Sequence, residues 1–134
     1  MFRNLFYGLA LIGFVLAAPA GAQQSGSLFV NLTTDEAHRA DMAMTFSKRI
    51  LEGGLAVTVW LNDRGVFLAS KQHGDQFADQ QKALADLMDK GANVIICPFC
   101  AAHYEVDLDN IVDGIQTGGA DVPLFQEGTR TLTW

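Results

Sequence analysis

The stretch NVIICPFCAAHYEV, residues 93–106, decides how the rest of the chain is read. Val94, Ile95 and Ile96 are β-branched and no helix-start signal precedes them, so Asn93–Cys97 reads as a buried strand. Pro98 follows at once. Proline suits the first position of a helix, where its missing N–H would have had no partner, so a short helix is expected to open on Cys97 and run to Tyr104. Cys97 then stands at a strand exit, with Cys100 one helical turn on and His103 three residues further. These are the only two cysteines of the chain. Unpaired N–H groups and the helix dipole stabilise a thiolate at a helix start, and the thiolate is the form that attacks sulfur or binds metal.

Upstream, strands and helices alternate. Leu28–Leu32 (LFVNL) is a strand candidate, and Leu55–Leu61 (LAVTVWL) is a β-branched and aromatic run that reads as a second, buried strand. Between them Thr33 and Glu36 have capping-box spacing, ahead of a helical stripe of Ala37, Ala40, Ala43, Met44, Ile50 and Leu51 that Gly53–Gly54 ends. Asn62–Gly65 is a turn cluster, with a short extended piece expected over Val66–Ala69. Phe77, Leu84, Leu87 and Met88 mark a second helix ending near Gly91. Downstream, Leu108, Ile111, Val112 and Ile115 predict a further helix behind Asp107, and Thr129–Trp134 a closing strand. This order predicts an α/β layered domain with a mainly parallel sheet and right-handed crossovers. Ligand sites in such sheets lie beyond the carboxyl ends of the strands. Three exits therefore matter: Asn31 with Thr33, Thr34 and Asp35; Asn62 with Asp63 and Arg64; and Cys97.

Residues 1–22 read as a cleaved secretory signal peptide: Arg3, then the apolar run Leu5–Ala17, then small residues ending at Ala20 or Ala22. The run is short for a membrane span of about 20 residues. Residues 23–134 are then one domain, periplasmic or secreted, with no membrane association after cleavage. Loss of Arg3 takes the formal charge from −6 to −7. That acidity, without a basic run, excludes a nucleic-acid partner and an anionic lipid surface.

Four chemistries compete for the cysteine pair. A thioredoxin-type dithiol has this motif after a strand and before a helix, but here the pair falls late, with only Pro123 downstream of Pro98. A structural zinc site wants four ligands, and Cys97, Cys100 and His103 supply three, so no metal is assigned. An inert disulfide would close a very short loop and add little. The fourth is sulfur transfer. The segments LFVNLTTDEAHRADMAMTFSKRILEGGLAVTVWLNDRGVFLASK and GANVIICPFCAAHYEVD and the closing TRTLTW resemble the DsrE/DsrF-like, YchN-like family of sulfur-relay proteins, over Leu28–Trp134. The resemblance implies a three-layer α/β/α fold with a parallel sheet of about five strands and a homo-oligomer, trimer or hexamer. It implies an acceptor cysteine at the position of Cys97, loaded as a persulfide and unloaded to a sulfur donor or acceptor protein without a cofactor. The chain departs from the relay pattern by carrying Cys100 beside Cys97 and by its export signal. The alternatives remain a CxxC dithiol/disulfide oxidoreductase and a non-enzymatic oligomeric binding protein with a structural disulfide. His103, Thr34, Asp35, Arg39 and Arg64 are candidate supporting residues: His103 to orient or protonate a cysteine, the arginines to attract an anionic sulfur species.

Overall fold

A computed structural model describes residues 26–134; the signal-peptide expectation lies outside the described residues. Five strands run β1 (Ser27–Leu32), β2 (Ala56–Leu61), β3 (Asn93–Ile96), β4 (Gln116–Thr117) and β5 (Thr129–Thr133). Four helices connect them: α1 (Ala37–Glu52), α2 (Gly74–Asp89), α3 (Pro98–His103) and α4 (Asp121–Leu124). The sheet order is β4-β3-β2-β1-β5, and every pairing is parallel.

The strands show why the layers form. Val30 aligns with Val59 on β2 and with Leu132 on β5, and Val59 aligns with Val94 on β3. The face carrying Leu28, Val30, Leu32, Val57, Val59 and Leu61 is buried. The apolar stripes of α1 and α2 cover it, through Ala40, Ala43 and Met44 and through Phe77, Leu84 and Leu87. Each fully buried leucine here contributes about 1.5–3 kcal/mol. Successive strands β1 to β4 step in one direction, so right-handed crossovers keep α1 and α2 on one side. The return from β4 to β5 spans the whole sheet and passes over the other face, where Phe29 and Ile95 are buried and Ala120 closes in. That return, with its single turn α4, is the thin third layer.

Three local expectations are corrected. Thr33 does not cap α1. The β1–β5 ladder runs one residue further than anticipated: Thr33 donates to the Trp134 carbonyl from both its N–H, at 2.9 Å, and its hydroxyl, at 2.6 Å. Glu36 is the cap instead, its carboxylate accepting from the His38 and Arg39 N–H groups at 3.0 and 2.9 Å. Val66–Ala69 is not extended but belongs to a 3-10 run over Asp63–Ala69. The stripe Leu108–Ile115 is not a helix. It makes one 3-10 turn at Leu108–Asn110, then pairs Ile111 with Ser70 and donates from Val112 N–H to the Ala69 carbonyl at 2.9 Å. Leu108, Ile111 and Ile115 still pack against the core, from a backbone tied to the Ala69–Ser70 segment rather than wound into a helix.

Gly65 explains the tight 3-10 run. A Cβ there would stand 2.2 Å from the Leu32 carbonyl oxygen, so only glycine lets the loop after β2 lie on the end of β1. The opposite rim, where the strands begin, is built of turns in which Gly54 and Gly91 take left-handed backbone. Gly65→Ala is expected to lower unfolding stability by about 1–3 kcal/mol, read as a reduced urea midpoint by circular dichroism; an unchanged midpoint would show that the loop stands clear of β1.

Candidate functional site: a dithiol at the strand-exit rim

The three strand exits meet because β1, β2 and β3 are neighbours. Cys97 continues the β2–β3 ladder, donating its N–H to the Leu61 carbonyl at 2.9 Å. Its backbone stays extended, and α3 opens on it with Pro98 in the first turn, as expected from the sequence. The Cys97 carbonyl accepts the first helical bond, from Ala101 N–H at 2.9 Å, and its sulfur accepts from Cys100 N–H at 3.2 Å. α3 is brief because Glu105 adopts left-handed backbone just past its end. Val106 N–H then reaches back to the Ala101 carbonyl at 2.8 Å, which satisfies an end carbonyl of the helix.

This framing sets the two thiols face to face, unbridged, with Cys97 Sγ 2.7 Å from Cys100 Sγ. They differ in access. Cys97 is 8% exposed and walled in by the sheet end. Cys100 lines an open groove of about 380 Å³ together with Asn62, Asp63, Phe99, His103 and Tyr104. Burial pushes the Cys100 thiol above its ordinary value, and the Cys97 sulfur beside it adds to this; the Asp63 backbone N–H pulls the other way.

The groove is braced from the loop after β2. Tyr104 donates its hydroxyl to the Asp63 carboxylate, which holds the phenol proton on and raises the tyrosine above its usual range. Asp63 itself has φ 45°, a left-handed conformation rare for a non-glycine residue. Asn62 donates to the Asn31 side chain, and the Phe67 ring lies 5.2 Å from the Tyr104 ring.

Of the supporting residues expected from sequence, His103 is at the groove, exposed and edge-on to Tyr104 at 4.8 Å. Asp35 and Arg64 are brought together by a two-pronged ion pair, Arg64 Nε to Oδ1 at 2.8 Å and Nη2 to Oδ2 at 2.5 Å. The Arg64 hydrogen bonds hold Asp35 below the usual carboxylate range against an opposing effect of burial, and Asp35 in turn raises Arg64. The pair lines a smaller pocket, about 140 Å³, with Phe67, His73, Gln76 and Phe77. Arg64 is 55% exposed, so solvent screening keeps the pair's contribution to stability small. Thr34 accepts from Glu36 N–H at 3.0 Å, and Arg39 gives its backbone N–H to the cap. Both belong to the helix start, and neither lines the thiol groove.

Asp63 is expected at the rim only as a strand-exit residue, and Tyr104, Phe99 and Phe67 lie outside the sequence-derived site. A signal exists for two of them: Phe99 lies four residues before His103, and Tyr104 four residues after Cys100. Among the described residues no group of three or more His, Cys, Asp or Glu side chains could hold a metal ion, and no helix is long and apolar enough to cross a membrane.

A parallel α/β domain with a vicinal dithiol at the carboxyl end of a central strand defines a class of thiol-bearing proteins. The chain belongs to the DsrE/DsrF-like family, whose model matches residues 26–133; that family is linked to sulfur relay. Its fold is similar to a protein of unknown function from Methanobacterium thermoautotrophicum, MTH1491, with TM-score 0.70, 13% identity and coverage of 82% of this chain and 100% of that one. It is similar to the ychN protein of E. coli, with TM-score 0.58, 13% identity and coverage of 83% and 100%. A conserved protein of unknown function from Bacteroides thetaiotaomicron, BT1422, aligns with TM-score 0.55, 15% identity and coverage of 81% and 95%. No curated protein matches the chain.

Because the thiolate is the reacting form and the Cys100 thiol is raised, its alkylation by iodoacetamide is expected to keep climbing as pH passes the ordinary thiol value of 9.0. Cys97→Ala removes one raising influence and shifts that profile to lower pH. Peptide mass mapping of the labelled sites checks both statements.

Proposed function

We propose that this chain is an exported DsrE-like protein whose Cys97–Cys100 dithiol carries thiol and persulfide chemistry, as a sulfur carrier or a sulfurtransferase-like protein. The observation that carries the reading is the direct contact of the two thiols at the strand-exit rim, one of them on an open groove. Persulfide chemistry needs a nucleophilic thiolate within reach of a donor sulfur. It needs no cofactor. In this reading His103, which lines the same groove as Cys100, exchanges protons with a reacting sulfur, and the Asp35–Arg64 pair lies on the same rim.

The test is incubation of the reduced protein with a sulfane-sulfur donor, followed by intact mass and thiol labelling. Gain of a sulfur atom or oxidation of the dithiol, abolished when both cysteines are replaced by serine, is the expected result. Cysteines that neither react with sulfur nor label after mild reduction would sink the proposal.

The close approach of the thiols also favours a second reading, a periplasmic dithiol/disulfide oxidoreductase. That protein would cycle a Cys97–Cys100 disulfide against thiols of a substrate protein and gain no sulfur from the donor.

In the same proposal the chain works as a homo-oligomer, trimer or hexamer, and exchanges sulfur with a donor or acceptor protein. Support comes from large apolar side chains left on the surface, Phe99 at 82%, Val122 at 79% and Phe125 at 84% exposure. Apolar surface of this kind, when grouped, marks contact sites. Light scattering of the purified protein is expected to give a multiple of the single-chain mass; a purely monomeric mass counts against it.

A further inference from the structure

Asp63 acts on the Cys100 sulfur in two opposed ways. Its backbone N–H faces that sulfur and lowers the thiol, whereas its carboxylate is a negative charge beside the groove and raises it; the N–H is the stronger influence. Whenever Cys100 forms or loses a bond to another sulfur it passes through the thiolate, as attacker or as leaving group. An N–H aimed at that sulfur then helps, and a carboxylate near it hinders. Which of them prevails depends on how the loop after β2 presents residue 63.

The loop presents the main chain. Asp63 has φ 45°, in the left-handed region. On one side of it the Asn62 N–H is fixed on the Leu32 carbonyl at 3.1 Å, and on the other the Gly65 N–H closes onto the Asn62 carbonyl at 2.9 Å. Between these anchors a right-handed φ would turn the peptide that joins Asn62 to Asp63, and the N–H with it. The Tyr104 hydroxyl holds the carboxylate, and the Phe67 ring packs against the Tyr104 ring. The carboxylate is thus drawn to the phenol, and the N–H is left for Cys100. The other titratable groups about Cys100 are Cys97, whose sulfur accepts the Cys100 S–H, and His103 and Tyr104 from the end of α3. Arg64 is engaged by Asp35.

We propose that Asp63 is a positioning residue for Cys100 that acts through its backbone N–H, kept in place by left-handed backbone and by the Tyr104 hydroxyl, and not through its carboxylate charge. This rests on the reading of the dithiol as the reacting site and adds to it a group from the loop after β2. The residue type fits the role. Aspartate is among the few residues besides glycine that visit left-handed backbone, and its side chain supplies the acceptor that Tyr104 grips.

The experiment follows iodoacetamide alkylation of Cys100 in the reduced protein across pH, with the labelled sulfur located by peptide fragment masses. Asp63→Gly and Asp63→Asn remove the charge and keep left-handed backbone, so the profile is expected to move to lower pH. Asp63→Ala and Asp63→Ser remove the same charge but resist that backbone; the N–H turns away and the profile moves to higher pH. Tyr104→Phe keeps the charge, releases the loop and also moves the profile to higher pH. Circular dichroism establishes that each variant is folded. If alanine and serine move the profile to lower pH together with glycine and asparagine, the charge alone acts and the proposal is overturned; a profile that no substitution at Asp63 moves overturns it equally. A profile unmoved by Tyr104→Phe overturns the part given to the tyrosine. The persulfide reading is tested separately, by sulfur gain in the wild-type chain, and its failure would leave these profiles as they are.

Discussion

The carbonyl oxygen of Leu32, at the end of β1, has no room beside it, and the site depends on that. It accepts the Asn62 N–H at 3.1 Å, and the missing side chain of Gly65 lets the same loop lie against it. With the loop held there, Arg64 reaches Asp35, Phe67 lies against Tyr104, and Asp63 takes the tyrosine hydroxyl and faces the Cys100 sulfur. A loop standing a few ångströms away would leave α3 held by Cys97 and by Ala101 in the core, without its brace at Tyr104. The groove would lose the wall formed by Asn62 and Asp63. The chemistry of the thiols is thus tied to a contact that involves neither of them.

Backbone strain is distributed unevenly. Left-handed glycines lie just ahead of the strands, where turns need them and no chemistry occurs. The two non-glycine residues in left-handed backbone among those described, Asp63 and Glu105, lie instead beside the groove. Each costs about 1–2 kcal/mol relative to right-handed backbone, and each is held by identifiable bonds. Tyr104 grips Asp63, and the Val106 N–H closes the end of α3 just beyond Glu105. Residues 104 and 105 therefore act as one clasp, joining the end of the short helix to the loop after β2.

Much of the architecture was legible because it depends on local chemistry. β-Branched runs mark β1, β2 and β3, the Cys-Pro junction marks the start of α3, and the alternation of strands and helices gives the parallel sheet. Errors arose where a distant partner overrode a local preference. Thr33 has a good capping side chain, but the Trp134 carbonyl, 101 residues away in sequence, claims it. Leu108, Ile111 and Ile115 have helical spacing, yet the Ala69–Ser70 backbone satisfies that segment in extended form. In the site the two cysteines were evident from spacing alone, but their unequal access was not, since it follows from how the sheet end wraps Cys97. The bond between Asp63, a strand-exit residue, and Tyr104 is invisible in the sequence for a related reason: they come from different elements and meet only once Gly65 has set the loop.

The parallel arrangement leaves the molecule with two dissimilar ends. All the groups discussed for chemistry lie where strands finish, while the strand-entry end consists of turns such as those at Gly54 and Gly91. Attachment chemistry can exploit this polarity. A linker placed on the Gly54 or Gly91 turn would anchor the protein to a solid support with every copy facing the same way, the dithiol toward the liquid and the inert end toward the matrix.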